Sequence, residues 1–308
     1  AAILDIEANR EILFGRDPTL HDLVWTGPQP SLNHHCLKSG LKESAAPDQL
    51  SSELKQALQQ SRKIHFLPQY RPENLIKIQT LLGIVPAFGK NFVSKSFIKA
   101  VVAQRSIKSR EEVEQIETAL ELTSAMHALA MKMSRAGMLE QEVVAAMAGL
   151  AEAHGIGASY PSIFSVDGQI LHNPRHENIM QQGDIIINDS GAESRMHYAS
   201  DITRTFPVDG KFTQKQTEIY TVLLNAQLKA IAAVMPGVEY RDVHTLACSQ
   251  IAAGLNSLGL MKGDVSEAVA AGAHALFMPH GLGHMIGLDV HDMEGLGEDD
   301  VGYTDTIR

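Results

Sequence analysis

Two segments of this 308-residue sequence hold side chains whose types and spacing could do chemistry together. The first is Asp189-Ser-Gly-Ala-Glu-Ser-Arg-Met-His-Tyr-Ala-Ser-Asp201. Asp189 follows the apolar run Ile185-Ile186-Ile187, and Asp201 opens the next strand-like stretch after a Gly-containing connection. A hairpin of this layout brings two carboxylates to one end of a sheet. There they repel unless a cation sits between them or one of them takes a proton. An isolated pair of this kind is more often a turn aspartate and a solvated one, so the second segment carries weight. It reads His280-Gly-Leu-Gly-His284-Met-Ile-Gly-Leu-Asp-Val-His291-Asp292. A His-x-x-x-His pair suggests the helical zinc-protease arrangement, but no Glu follows His280, and Gly281 and Gly283 disfavour a helix interior. The glycine spacing also misses the dinucleotide fingerprint. What remains is a Gly-rich strand or loop that lets several imidazoles approach one centre. A third element, His172, closes the short apolar run Ile170-Leu171, and by itself would be read as a loop histidine.

The elements that must position these residues fall into two textures. Residues 1 to about 104 alternate short apolar runs with turn-rich stretches, an α/β pattern. Ala1–Ile6, Ile12–Gly15, Leu23–Pro28 and Lys63–Pro68 read as strands, and Pro47–Ser61 as a helix with Leu50, Leu54 and Leu58 on one face. The stretch 104–110 is the expected boundary, giving domains at 1–104 and 105–308. After it come long helices. Ser109-Arg-Glu-Glu112 is a capping box that opens one helix, Leu139–Gly155 is a second, and strands are expected at 162–166, 169–172, 184–188 and 202–208. Thr213-Gln-Lys-Gln216 starts a further helix to about Val234, and another spans 241–258. Two successive helix–helix–strand blocks point to an internal duplication.

Composition narrows the function classes. Lys and Arg number 26 against 36 Asp and Glu, a net charge of −10, which argues against phosphate-backbone binding and so against a nucleic-acid partner. No run of about 18 apolar residues exists, so no membrane span is expected. Cys36 and Cys248 are far apart and show no Cys-x-x-Cys spacing, which makes a reducing, cytoplasmic setting the default. No charged-then-apolar leader opens the chain, and residues before Ala1 are expected to be missing.

Taken together, these phrases resemble the pita-bread metallopeptidases, specifically the Xaa-Pro group that contains aminopeptidase P and prolidase. The resemblance runs from about Ser106 to Asp292. It takes in Ile107-Lys108-Ser109, Ile170-Leu171-His172, Asp189-Ser-Gly, Tyr198-Ala-Ser-Asp201-Ile-Thr-Arg-Thr-Phe-Pro207 and the segment 280–292. It implies a smaller creatinase-like α/β domain followed by a pita-bread catalytic domain. It implies Asp189, Asp201 and His284 as metal ligands, with Asp201 bridging two ions, and His172, His280 and His291 as catalytic histidines near the substrate. The implied cofactors are two divalent ions, Mn2+ first and Zn2+ or Co2+ as alternatives. A hydroxide bridging the ions would attack the peptide bond before proline. Substrates would be peptides or dipeptides with proline second, and relatives are commonly homodimers or larger. The family's two further glutamate ligands, in Glu-Pro-Gly and Arg-x-Glu-Asp phrases, have no match here. The pita-bread domain is thus expected to be incomplete at its C-terminal end, and the chain by itself to be inactive. A non-catalytic peptide- or partner-binding module is the alternative.

Overall fold

The computed structural model describes residues 1–84 and 93–302, and the chain divides into two compact units, Ala1–Ala100 and Val101–Arg308. In the first unit, β1 (Ala2–Asp5) pairs antiparallel with β2 (Arg10–Phe14), and β3 (Glu43–Ala45) adds parallel to β2. Leucine 23 to Thr26, expected as a strand, instead lies in helix α1 (Leu20–Thr26). The cause is a capping box: the Thr19 hydroxyl accepts from the Asp22 N–H and the Asp22 carboxylate from the Thr19 N–H, which outweighs the β-leaning run that follows. Gly27 stops the helix at φ 75°, a left-handed backbone that glycine tolerates. Helices α2 (Leu32–Lys38), α3 (Gln49–Gln59), α4 (Pro72–Leu82) and α5 (Lys95–Arg105) follow. Leu50 and Leu54 of α3 pack on Ile12 and Phe14, whereas Leu58 stays half exposed. Residues 63–68, also expected as a strand, have no regular structure.

In the second unit, Ser109 and Glu112 cap α6 (Arg110–Met133) as expected, and α7 (Glu140–His154) runs up to Gly155. These two helices cover one face of an antiparallel sheet ordered β4 (Ile163–Ser165), β5 (Ile185–Ser190), β6 (Ile202–Pro207). Met126 and Ala130 of α6, Val143 and Met147 of α7, and Phe164, Ile186 and Phe206 of the sheet form the core between them. Residues 169–172 form a turn rather than a strand, because two apolar residues between Gly168 and Asn173 offer no ladder partner. Then α8 (Gln214–Ala233) and α9 (Tyr240–Ser257) pair through Ala226, Ile251 and Leu255 at one end. Ala230, Val243 and Ala247 continue that contact. Among the described residues no strand follows α9. Helix α10 (Val265–Ala270) and a 3-10 turn at Ala273–Leu276 lead into a loop that carries His280, His284 and His291.

Candidate metal centre

Strand parity places the two aspartates. Along β5 the residues Ile186, Asn188 and Ser190 are buried toward the helices, so Ile187 and Asp189 face the other way. Asp189 pairs with Thr203 of β6, and Asp201 stands two residues before Thr203, hence on the same face. The connection between the strands is held by backbone proximity. A Cβ on Gly191 would sit 1.8 Å from the Ser200 carbonyl oxygen, so no side chain fits there. Thr123 and Ser200 bond each other through their hydroxyls at 2.6 Å, and both meet the Ala192 N–H. Buried His127 contacts Asn188 and the Ser190 carbonyl and locks the inward face of β5.

On the outward face, Asp189 and Asp201 converge on one group that the sequence does not advertise. The hydroxyl of Tyr160 lies 2.5 Å from Asp189 Oδ1 and 2.7 Å from Asp201 Oδ1. A phenol carries a single proton, so it can donate to only one of the two at a time. The pair is therefore one positive partner short, which is the condition a divalent cation satisfies. His284 Nε2 comes within 3.1 Å of Asp201 Oδ2, and the His284 ring stacks on His291 with centroids 3.8 Å apart. The link runs in sequence from His284 to Asp201 to Tyr160 to Asp189, and the three expected donors do not all fall within 4.8 Å of one another.

Electrostatics follow from this geometry. Burial, joined by the charge of Asp201, pushes the Asp189 carboxyl above the usual carboxylate range despite the Tyr160 hydrogen bond. Burial acts on Asp201 too, but hydrogen bonds from His284 and Tyr160 overcome it and leave Asp201 below that range. The bond to Asp201 raises His284. Burial and the two carboxylates drive the Tyr160 hydroxyl far upward, so it stays a donor.

The histidine loop is anchored from behind. Asp292, with its side chain 1% exposed, accepts from Lys108 Nζ at 2.8 Å and from Arg105. Its N–H donates to the Met285 carbonyl, and the Ala199 N–H donates to the Gly287 carbonyl at 2.8 Å. A Cβ on Gly287 would meet the Asp292 carboxylate at 2.6 Å. His291 Nδ1 lies 2.8 Å from Glu294 Oε2. The other two expected histidines stand apart. His280 is exposed, with its Nδ1 on the adjacent Gly281 carbonyl, and His172 is exposed in the 169–172 turn. Neither hydrogen-bonds to the aspartate pair.

Residues 114–307 match metallopeptidase family M24. The Xaa-Pro aminopeptidase of Escherichia coli is 33% identical over 301 residues, which is 94% of this chain and 68% of that protein. The Haemophilus influenzae Xaa-Pro aminopeptidase is 30% identical, over 92% of this chain and 65% of its own length. Zinc-substituted E. coli aminopeptidase P in complex with product superposes with a TM-score of 0.82 at 30% identity, covering 98% of this chain and 70% of that one. The chain thus spans about two thirds of the length of these relatives.

Proposed function

Since the chain belongs to metallopeptidase family M24, with the pita-bread fold of the aminopeptidase P structures, we propose that it carries part of the active site of an Xaa-Pro aminopeptidase. In this reading Asp189, Asp201 and His284 would hold divalent metal. The observation that carries it is the pair of half-buried carboxylates sharing one phenolic proton, with an imidazole nitrogen on the outer oxygen of one of them. Oxygen donors with one imidazole suit Mn2+, and Zn2+ or Co2+ also accept such a set. When bound, the ions supply Lewis acidity toward the scissile carbonyl and an acidified water.

The chain's own residues do the rest. Asp201, already below the usual carboxylate range, is ionised and available at neutral pH. His291, stacked on His284 and tied to Glu294, faces the same centre and donates to the oxygen that gains charge as the carbonyl becomes tetrahedral. His280 and His172, both exposed, position the peptide. Substrates are peptides with proline second, and the working form is a homodimer or larger.

The test is to strip the whole protein with a chelator and assay an Xaa-Pro peptide with Mn2+ restored. Activity should vanish on stripping and return with metal, and Asp201→Asn should lose at least about 100-fold in kcat, the scale of losing one key electrostatic group. Chelator-resistant activity, or an Asp201→Asn enzyme that keeps both its metal and its rate, would overturn the assignment.

A further inference from the structure

One face of α9 carries donors that the proposed reaction does not use. His244 and Cys248 stand four residues apart, so their side chains share a face of the helix. The 3-10 turn at Ala273–Leu276 packs against α9 and brings in His274, whose ring meets that of His244 nearly edge-on at 6.4 Å. Cys248 Sγ lies 3.4 Å from His244 Nε2. One donor atom from each of the three residues falls within 4.8 Å of the other two. Among the described residues no other trio of His, Cys, Asp or Glu does so.

Cys248 is buried, both histidines are half-buried, and one ring nitrogen of each histidine is not satisfied. Cys248 is 1% exposed, and the Nδ1 atoms of both His244 and His274 are buried without a hydrogen-bond partner. Leaving a buried polar atom unpaired is costly, so two at one place ask for a reason.

We propose that His244, Cys248 and His274 form a second metal site for a borderline-soft divalent cation such as Zn2+, separate from the oxygen-rich centre at Asp189 and Asp201. A thiolate with two imidazoles selects Zn2+ over oxygen-seeking cations, and three protein ligands leave one tetrahedral position for water. On binding, the Cys248 S–H bond breaks, its proton goes to solvent, and the sulfur electron pair closes on the cation, with no change of oxidation state. Coordination ties α9 to the turn that leads into the histidine loop, so the site braces that loop.

Cobalt separates this site from the aspartate centre, because only a thiolate ligand gives an intense near-ultraviolet sulfur-to-cobalt charge-transfer band. The whole protein carrying Asp189→Asn and Asp201→Asn is titrated with Co2+ and then with Zn2+. A charge-transfer band that appears with Co2+ and is displaced by Zn2+ is expected. Adding Cys248→Ala should abolish the band, and adding His274→Ala should weaken Co2+ binding by tenfold or more, since even losing a ligand's hydrogen-bonding neighbour costs roughly 10–100-fold. No band before these two changes, a band that survives Cys248→Ala, or His274→Ala binding within tenfold would each overturn the proposal. If Cys248→Ala does not fold, His274→Ala decides. Peptidase activity is not the readout, so failure here leaves the aspartate assignment untouched.

Discussion

Asp292→Ala should destabilise the second unit far more than a typical surface change, and the structure sets the size. The Asp292 side chain is 1% exposed, Lys108 is 15% exposed and Arg105 25%. Removing one partner of a buried ion pair costs about 3–5 kcal/mol, because an uncompensated charge is left behind. Here both cations keep some contact with water and can rehydrate in part, so the cost falls at the lower end, about 3 kcal/mol. For a unit of this size each kcal/mol moves Tm by about 2–4 °C, which gives a drop of about 6–12 °C. Asp292→Asn keeps the shape and one acceptor oxygen and should lose roughly half as much. Adding Lys108→Met to Asp292→Ala removes the stranded ammonium, so the double variant should be less damaged than the sum by about 1–2 kcal/mol. Thermal melts by circular dichroism at fixed protein concentration measure the parent, the two Asp292 variants, Lys108→Met and the double variant. A drop below about 2 °C for Asp292→Ala, or strict additivity in the double variant, would show that the carboxylate is not what holds the loop.

Three further outcomes are expected. Tyr160→Phe should lower the stability of the metal-free protein by about 1–3 kcal/mol, the scale of a hydrogen bond to a charged group. Added Mn2+ should shrink that gap, and an equal gap with and without metal would refute the view that the phenol stands between the carboxylates as a cation would. Gly191→Ala should abolish soluble protein or cut Tm sharply, because its Cβ meets the Ser200 carbonyl at 1.8 Å. Gly149→Ala, exposed on α7 with open space around it, should instead raise stability by up to about 1 kcal/mol, and thermal melts of both report on this. In the metal-free protein, the stability gap between the parent and His284→Gln should peak between the unshifted values 3.8 and 6.5 of Asp and His. His284, raised by its partner, stabilises below its unfolded value and loses that as pH rises through its folded one. Asp201, lowered, stabilises above its unfolded value and loses that as pH falls. Urea titrations across that range read the gap, and a gap that grows above pH 7 would sink the ion-pair reading.

How far the sequence could be read depended on how local each signal was. The Asp189–Asp201 hairpin was legible because an apolar run, a tight glycine and a strand of fixed parity all lie within about twenty residues. Tyr160 was not legible, since its role comes from contacts 29 and 41 residues away and nothing in Ser159-Tyr160-Pro161 distinguishes it. The composition of Leu23–Thr26 leans toward a strand, but the Thr19-x-x-Asp22 capping signal just ahead of it makes it helical. The run Ile170–Leu171 was too short for alternation to mean anything. For the histidine loop, glycine content ruled out a helix. It could not show that His284 docks on Asp201 while His280 faces solvent, because Asp292, Lys108 and Arg105 decide that at a separation of more than 180 residues.

That separation has a consequence for the order of assembly during synthesis. The β5–β6 hairpin, with its partner Tyr160, needs only residues already made by Pro207, and hairpins close in roughly microseconds. His284 lies 83 residues beyond Asp201, and at about 5–20 residues per second the ribosome takes about 4–17 s to supply it. For that interval a nascent chain holds two carboxylates apposed by the β5–β6 ladder, with no imidazole beside them and the Tyr160 hydroxyl as the donor between them. The hairpin then waits as a finished template on which the late histidine loop docks. If the pair holds metal as proposed, a cation can meet the carboxylates before the loop arrives, and capture then begins during folding rather than after it.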